Sequence, residues 1–288
     1  MFCQIAFARR KDPVLRALLI AVLGLAALPA TAERFELGQP VPGQAGKTWF
    51  DAVKLVVPDL IWQGDNATGA TSIPLRSVDS NDNELASPEA EFIVHGVDVE
   101  PLLAEGRALT LVSFGLGPAA GWAAEIEALA VFDENLALLD AINIGQDKLN
   151  EIRGTPIRIS AADEAVLTYS EHFNSNQTYG LYALLMVKDG KFQTIDIVGT
   201  LGDRWCGHER TQALAVSSQD AGIGYWPITV TVTAVQKATA DKDCGDEVRQ
   251  PGFERTYATT YNWSASMGVY VTEGEGFAAL AEENSERY

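Results

Sequence analysis

Cys206 and His208 stand two positions apart in "RWCGHE", with a thiol and an imidazole close enough in the chain to act together. Three chemistries suit such a pair: a metal ligand set, a thiolate activated by its base, or a cysteine committed to a disulfide beside an unrelated histidine. A structural zinc takes its ligands in close-spaced pairs such as C-x2-C or H-x3-H, and this C-x-H has no second pair to join it. Another cysteine, Cys244, stands in "KDCGDE", 38 positions beyond Cys206, and glycine follows the cysteine in both places, as in surface turns. Cys3 falls in a segment read below as a leader, which leaves two cysteines, and in an oxidising compartment an even number pairs. A Cys206 to Cys244 bond is worth roughly 4 kcal/mol by loop-closure entropy. It also leaves no thiolate for nucleophilic or metal chemistry, so His208 is expected to be an exposed turn residue.

The richest polar stretch is "SEHFNSNQTY" at 170–179, where Glu171, His172, Asn174, Asn176, Gln177 and Tyr179 crowd between two apolar runs. Donors and acceptors at a strand junction suit ligand recognition, because rigid strands position the residues at their ends. The same composition also makes a long hairpin turn, since Asn and Ser satisfy local backbone groups. These six residues are the candidate ligand site. A hydrolase reading uses His172 or His208 with nearby carboxylates as its acid–base pair. No catalytic set is legible beyond that: "LVSFG" around Ser113 lacks the first glycine of a nucleophile elbow. His95, in the strand-like "FIVHG", reads as a satisfied core histidine. "DSNDNE" at 79–84 offers oxygens but has Glu84 and Ala90 where a calcium loop needs Gly and Glu. The sequence therefore assigns no metal and no cofactor, and no phosphate or dinucleotide glycine fingerprint occurs.

The beginning of the chain says where this chemistry would operate. Arg9, Arg10, Lys11 and Arg16 precede the apolar run "ALLIAVLGLAAL" and then "PATA", the pattern of a cleaved export leader with its cut after Ala32. The apolar run is shorter than the ~20 residues of a membrane-spanning helix, so no retained membrane anchor is expected. Residues 33–288 then form the mature protein, periplasmic or secreted, and no linker divides it into domains. The whole chain carries a net charge of −18; removing four basic residues and Asp12 with the leader takes it to −21. Such a chain repels phosphates, which excludes a nucleic-acid role, and admits a basic protein as a partner.

The elements follow from periodicity. "TWFDAVKLVVP" reads as a helix capped at Thr48 and stopped by Pro58, with Trp49, Ala52, Val53 and Val56 on one stripe. "EGFAALAEENSER" reads as a second helix that groups Phe277, Leu280 and Ala281 while its glutamates face water. Between them the period is two. Ile228, Val230 and Val232 alternate with threonines in "ITVTVT", and Tyr257, Thr259, Tyr261 and Trp263 alternate in "TYATTYNW". "AEFIV", "ALTLVSF", "IEALAVF", "PIRIS", "AVLTYS" and "YALLMV" add further strands, and long helices between strands are missing. The expectation is an all-β protein of mainly antiparallel sheets, sandwich-like or propeller-like, with a short helix near each end of the mature chain. The propeller alternative rests on a likeness at an offset of 56 positions, Asp133 with Asp189 and Asp140 with Asp196. The six tryptophans are expected mostly to fill the core. In function, the sequence suggests an exported binding or accessory protein of unassigned ligand, with a hydrolase and an acidic binder or inhibitor of a cationic protein as alternatives.

Overall fold

A computed structural model of the chain describes residues 32–64, 66–78, 85–88, 90–117, 126–239 and 251–287. Residues 1–31, on which the expected leader falls, the stretch 79–84, Trp122 and Cys244 lie outside the described residues. Strand accounts for 57% and helix for 6%, so the protein is all-β. A seven-stranded sheet runs in the order β1 (Glu33–Phe35), β7 (Val97–Ala104), β8 (Arg107–Gly115), β9 (Glu127–Phe132), β10 (Leu138–Asn143), β4 (Leu75–Ser77), β5 (Leu85–Ala86). A nine-stranded sheet runs β11 (Leu149–Ile152), β13 (Glu164–Asn174), β14 (Gln177–Lys188), β15 (Lys191–Trp205), β16 (His208–Ser218), β17 (Ile228–Ala238), β18 (Phe253–Ser264), β19 (Val269–Thr272), with β12 (Ile157–Arg158) also on β13. A small sheet holds β2 (Ile61–Gln63), β3 (Asn66–Gly69) and β6 (Phe92–Val94). Among the described residues every strand pairing is antiparallel except β10 with β4.

The layers follow from which residues alternate onto which face. In β8 and β9, Val112, Phe114, Ala128, Ala130 and Phe132 face a first core shared with helix α1 (Trp49–Val53) and the small sheet. Leu109, Leu111, Leu129 and Val131 face the other way, into a second core with Val166, Ala183, Leu185 and Val187 of the nine-stranded sheet. The two large sheets therefore pack face to face, as in a sandwich. Leu184 and Met186 of β14 point into a third core, where Ile228, Val230, Val232 and Tyr261 meet Leu280 of helix α2 (Ala278–Ser285). The run "YALLMV" is continuous because β14 is buried on both faces.

That third core exists because the nine-stranded sheet turns back on itself. At the β15–β16 hairpin, Gly207 takes a positive φ of 88° in the turn. The two strands then pair only from Asp203 with Arg210 to Trp205 with His208 before they diverge.

Several sequence expectations change. Helix α1 closes after Val53, although its stripe of Trp49, Ala52, Val53 and Val56 is buried as expected. Glu283 of α2 does not face water; it is held by Arg255 and by the hydroxyl of Tyr257. The Asp133 and Asp189 hairpins lie in sheets of seven and nine strands packed face to face, not in four-stranded blades, so their likeness is shared hairpin grammar. Trp49 is buried, whereas Trp62, stacked on Phe50, and Trp205 are about half exposed.

Candidate functional site

Because β16 leaves β15 after three residue pairs, the outer edge of β15 from 191 to 202 pairs in a ladder with no strand among the described residues. A cavity of 1380 Å³ opens along it. Side chains from both faces of the sheet line this space. On the face toward the seven-stranded sheet are Leu181, Tyr179, His172 and Asp147; on the other are Tyr261, Tyr270, Phe277 and Leu280. A second cavity of 880 Å³ begins where the first ends, since Ile195, Asp196 and Ile197 line both. One cleft therefore follows the edge of β15 and wraps around it.

The polar groups of the cleft are held in place by specific bonds. The Nδ1 of His172 lies 2.9 Å from the Asp147 carboxylate, which also accepts the Lys148 N–H. Asp196 accepts the Tyr261 hydroxyl and, at 2.8 Å, the Ile197 N–H. Burial, then the bond to Asp196, pushes the Tyr261 phenol well above its ordinary range. Burial does the same to Tyr270, whose hydroxyl donates to the Trp226 carbonyl at 2.9 Å. Both phenols thus stay neutral at physiological pH and present hydrogen-bonding groups to the cleft.

Helix α2 forms one side of the cleft and is clamped at its end. Arg287 donates to Asp203 through Nε and Nη2 at 2.8 and 2.5 Å and to the Leu201 carbonyl at 3.3 Å. Asp203 is buried, and His208 Nε2 approaches it at 3.3 Å. His208 is therefore not an exposed turn residue: it begins β16 facing inward, where a buried carboxylate gives its imidazole a partner.

The stretch 170–179 is a tight hairpin and not a long loop, for β13 and β14 pair as far as Asn174 with Gln177. His172, Asn174 and Tyr179 line the cleft. Glu171 accepts the Tyr169 hydroxyl on the opposite face of the strand. Gln177 lies beside the cleft, bonded to the Tyr179 hydroxyl and the Arg287 carbonyl, while the Asn176 carbonyl accepts the Arg204 N–H. His95 is exposed, against Asn66, and is not a core residue. Ser113 is buried and donates to Glu127. Among the described residues no group of three His, Cys, Asp or Glu side chains gathers as a metal site.

Sequence reasoning did not find Asp147, Asp196, Tyr270 or the open edge itself. One signal was present: "TIDIVGTLG" carries Gly199 and Gly202 inside a strand, where glycine marks a bulge or the close approach of another backbone. No protein-family model, characterised protein or solved structure matches this chain.

Proposed function

We propose that the mature chain is an exported binding protein whose ligand lies in the cleft along β15. The observation that carries this reading is a large cavity with apolar walls and a few fixed polar groups, the usual anatomy of a binding pocket. Export rests on the leader pattern of residues 1–32, with cleavage after Ala32. The Cys206 to Cys244 disulfide belongs to the same reading. The turn that holds Cys206 lies beside the end of β17, for the Thr239 N–H donates to the Gly207 carbonyl at 3.1 Å. Five positions beyond Thr239 stands Cys244.

The test is titration of the purified mature protein with a neutral fluorescent naphthylamine, beside an Ala281→Trp variant. Ala281 is exposed on α2 and lines the cleft. Enhanced, blue-shifted emission with the wild type and its loss in the variant are expected. Equal emission from both proteins, or none from either, overturns the reading.

The pairing of His172 with Asp147 in the cleft favours one other reading, a hydrolase. Acyl transfer needs a nucleophile within reach of the imidazole. The hydroxyls of Thr200 and Ser285 in the cleft are instead bonded to the carbonyls of Gly180 and Glu282. Turnover of an activated ester that disappears in His172→Ala but not in Ala281→Gly would establish the hydrolase over the binding protein.

A further inference from the structure

We infer that the cleft accepts an extended, basic polypeptide segment, which adds as a strand to the open edge of β15. The inference rests on the cleft being the binding site and adds the class of ligand. Strand addition requires main-chain groups that face an open space, and separate recesses for side chains that alternate to either side. Both conditions are met.

The direction of the main-chain groups is fixed by their side-chain partners. Asn284 donates to the Gly199 carbonyl at 3.4 Å, while the Leu201 N–H donates to Gln212 and the Leu201 carbonyl accepts from Arg287. In an antiparallel ladder the N–H and C=O of one residue point the same way, so Ile197, Gly199 and Leu201 all turn theirs away from β14 and toward the cleft. The Ile197 N–H meets the carboxylate of its own neighbour, Asp196. Single bonds with the side chains of Asn284, Gln212 and Arg287, which an added strand would displace, thus occupy places where a second backbone would make a regular ladder.

Gly199 adds an independent observation. It is exposed, and a Cβ there would meet only the Leu181 side chain, at an ordinary 3.7 Å. Among the described residues nothing demands glycine at that position, and a glycine within a strand suits the close approach of another backbone.

The shape of the cleft then separates a strand from a compact small molecule. It straddles the edge, with one recess bounded by Leu181 and Tyr179 and the other by Tyr261, Tyr270 and Leu280. Alternate residues of an added strand enter alternate recesses. The span from Ile195 to Leu201 corresponds to about 20 Å of strand. Charge selects the sign of the occupant of the larger cavity, whose charged lining residues are Asp147, Asp196 and Glu275, whereas the second cavity is mixed, with Arg76, Lys188 and Lys191 beside Asp140, Asp189 and Asp196. A cationic side chain beside the carboxylates of the larger cavity is favoured, an acidic one repelled.

The experiment uses the full mature protein and a labelled peptide of about seven residues that alternates valine and lysine. It is compared with the same peptide N-methylated at alternate amides and with a valine–glutamate counterpart. Gly199→Pro removes an N–H that faces the cleft, which an edge strand tolerates. Expected are binding of the basic peptide, amide-exchange protection at Ile197 and Gly199, and a loss of about tenfold or more on N-methylation and in Gly199→Pro. Gly199→Pro should keep the far-ultraviolet circular dichroism of the wild type, which reports the fold without relying on the cleft. If that variant does not fold, the N-methyl series and the exchange data on the wild type decide. Peptide binding indifferent to N-methylation, or unaccompanied by exchange protection, overturns strand addition. Stronger binding of the glutamate peptide overturns the charge assignment. Binding of the naphthylamine but of no peptide overturns the polypeptide class while leaving the cleft as a site, and binding of neither probe overturns the cleft itself.

Discussion

Two residue-scale arrangements carry testable consequences away from the cleft. The Thr48 N–H and hydroxyl donate to the Asp51 carboxylate at 2.8 and 2.9 Å, so one side chain ties the start of α1. The backbone bond from Thr48 is the main cause that holds the Asp51 carboxyl below its ordinary value of 3.8. A lowered folded value means that the contribution is present above the unfolded value and is lost as pH falls through the folded one. Asp51→Ala should lower stability by about 1 kcal/mol at neutral pH, and the gap to wild type should close as pH falls below 3.8. Denaturant titrations at neutral and acid pH check this; a gap that does not depend on pH would mean that the lost bond does not involve the carboxylate. The proposed Cys206 to Cys244 bond predicts no free thiol in the denatured, unreduced mature protein. Its reduction should cost roughly 4 kcal/mol, and two titratable thiols before reduction would refute the pairing.

Among the elements, what was legible in the sequence is what depends on period. "ITVTVT" declared its faces: Ile228, Val230 and Val232 are buried and the threonines between them are half-buried. Trp49, Ala52, Val53 and Val56 declared the stripe of α1 in the same way. Period says nothing about where a ladder stops, and the cleft exists only because β16 abandons β15 after Arg210. Nor does it foresee partners far apart in the chain. Asp203 and Arg287 are separated by 84 positions, and with both side chains more than nine-tenths buried they form the ion pair that clamps α2. His208 looked like a turn residue because that carboxylate was invisible beside it. Of the candidate hairpin, His172, Asn174 and Tyr179 reach the cleft because alternate residues of paired strands share a face. Glu171 does not, for the same reason. The clamp yields a prediction at this scale. Arg287→Ala leaves Asp203 buried with His208 and Arg210 as its ionisable neighbours and should cost about 3 kcal/mol, with faster amide exchange in α2 first. Adding Asp203→Ala to that variant should recover part of the loss. An additive double variant would show that the pair does not interact.

Over the whole molecule, the net charge is strongly negative, −18 for the full chain and −21 for residues 33–288. A field of that kind acts over about a Debye length, roughly 8 Å at physiological salt. It therefore acts on a ligand's approach more than on its final contacts. The proposed basic segment would be drawn toward the protein before it reaches the cleft, and then be held there by backbone bonds and apolar recesses that salt hardly weakens. Association and dissociation should accordingly respond differently to ionic strength. Raising sodium chloride from about 0.05 to about 0.5 M should slow association of the valine–lysine peptide by about tenfold, while dissociation changes by less than about twofold. The neutral naphthylamine should show neither effect. Stopped-flow measurement of both rates decides the matter. Salt that accelerates dissociation and leaves association untouched would place the electrostatics in contact pairs at Asp147, Asp196 and Glu275, and would remove any role for the net charge of the molecule in steering its ligand.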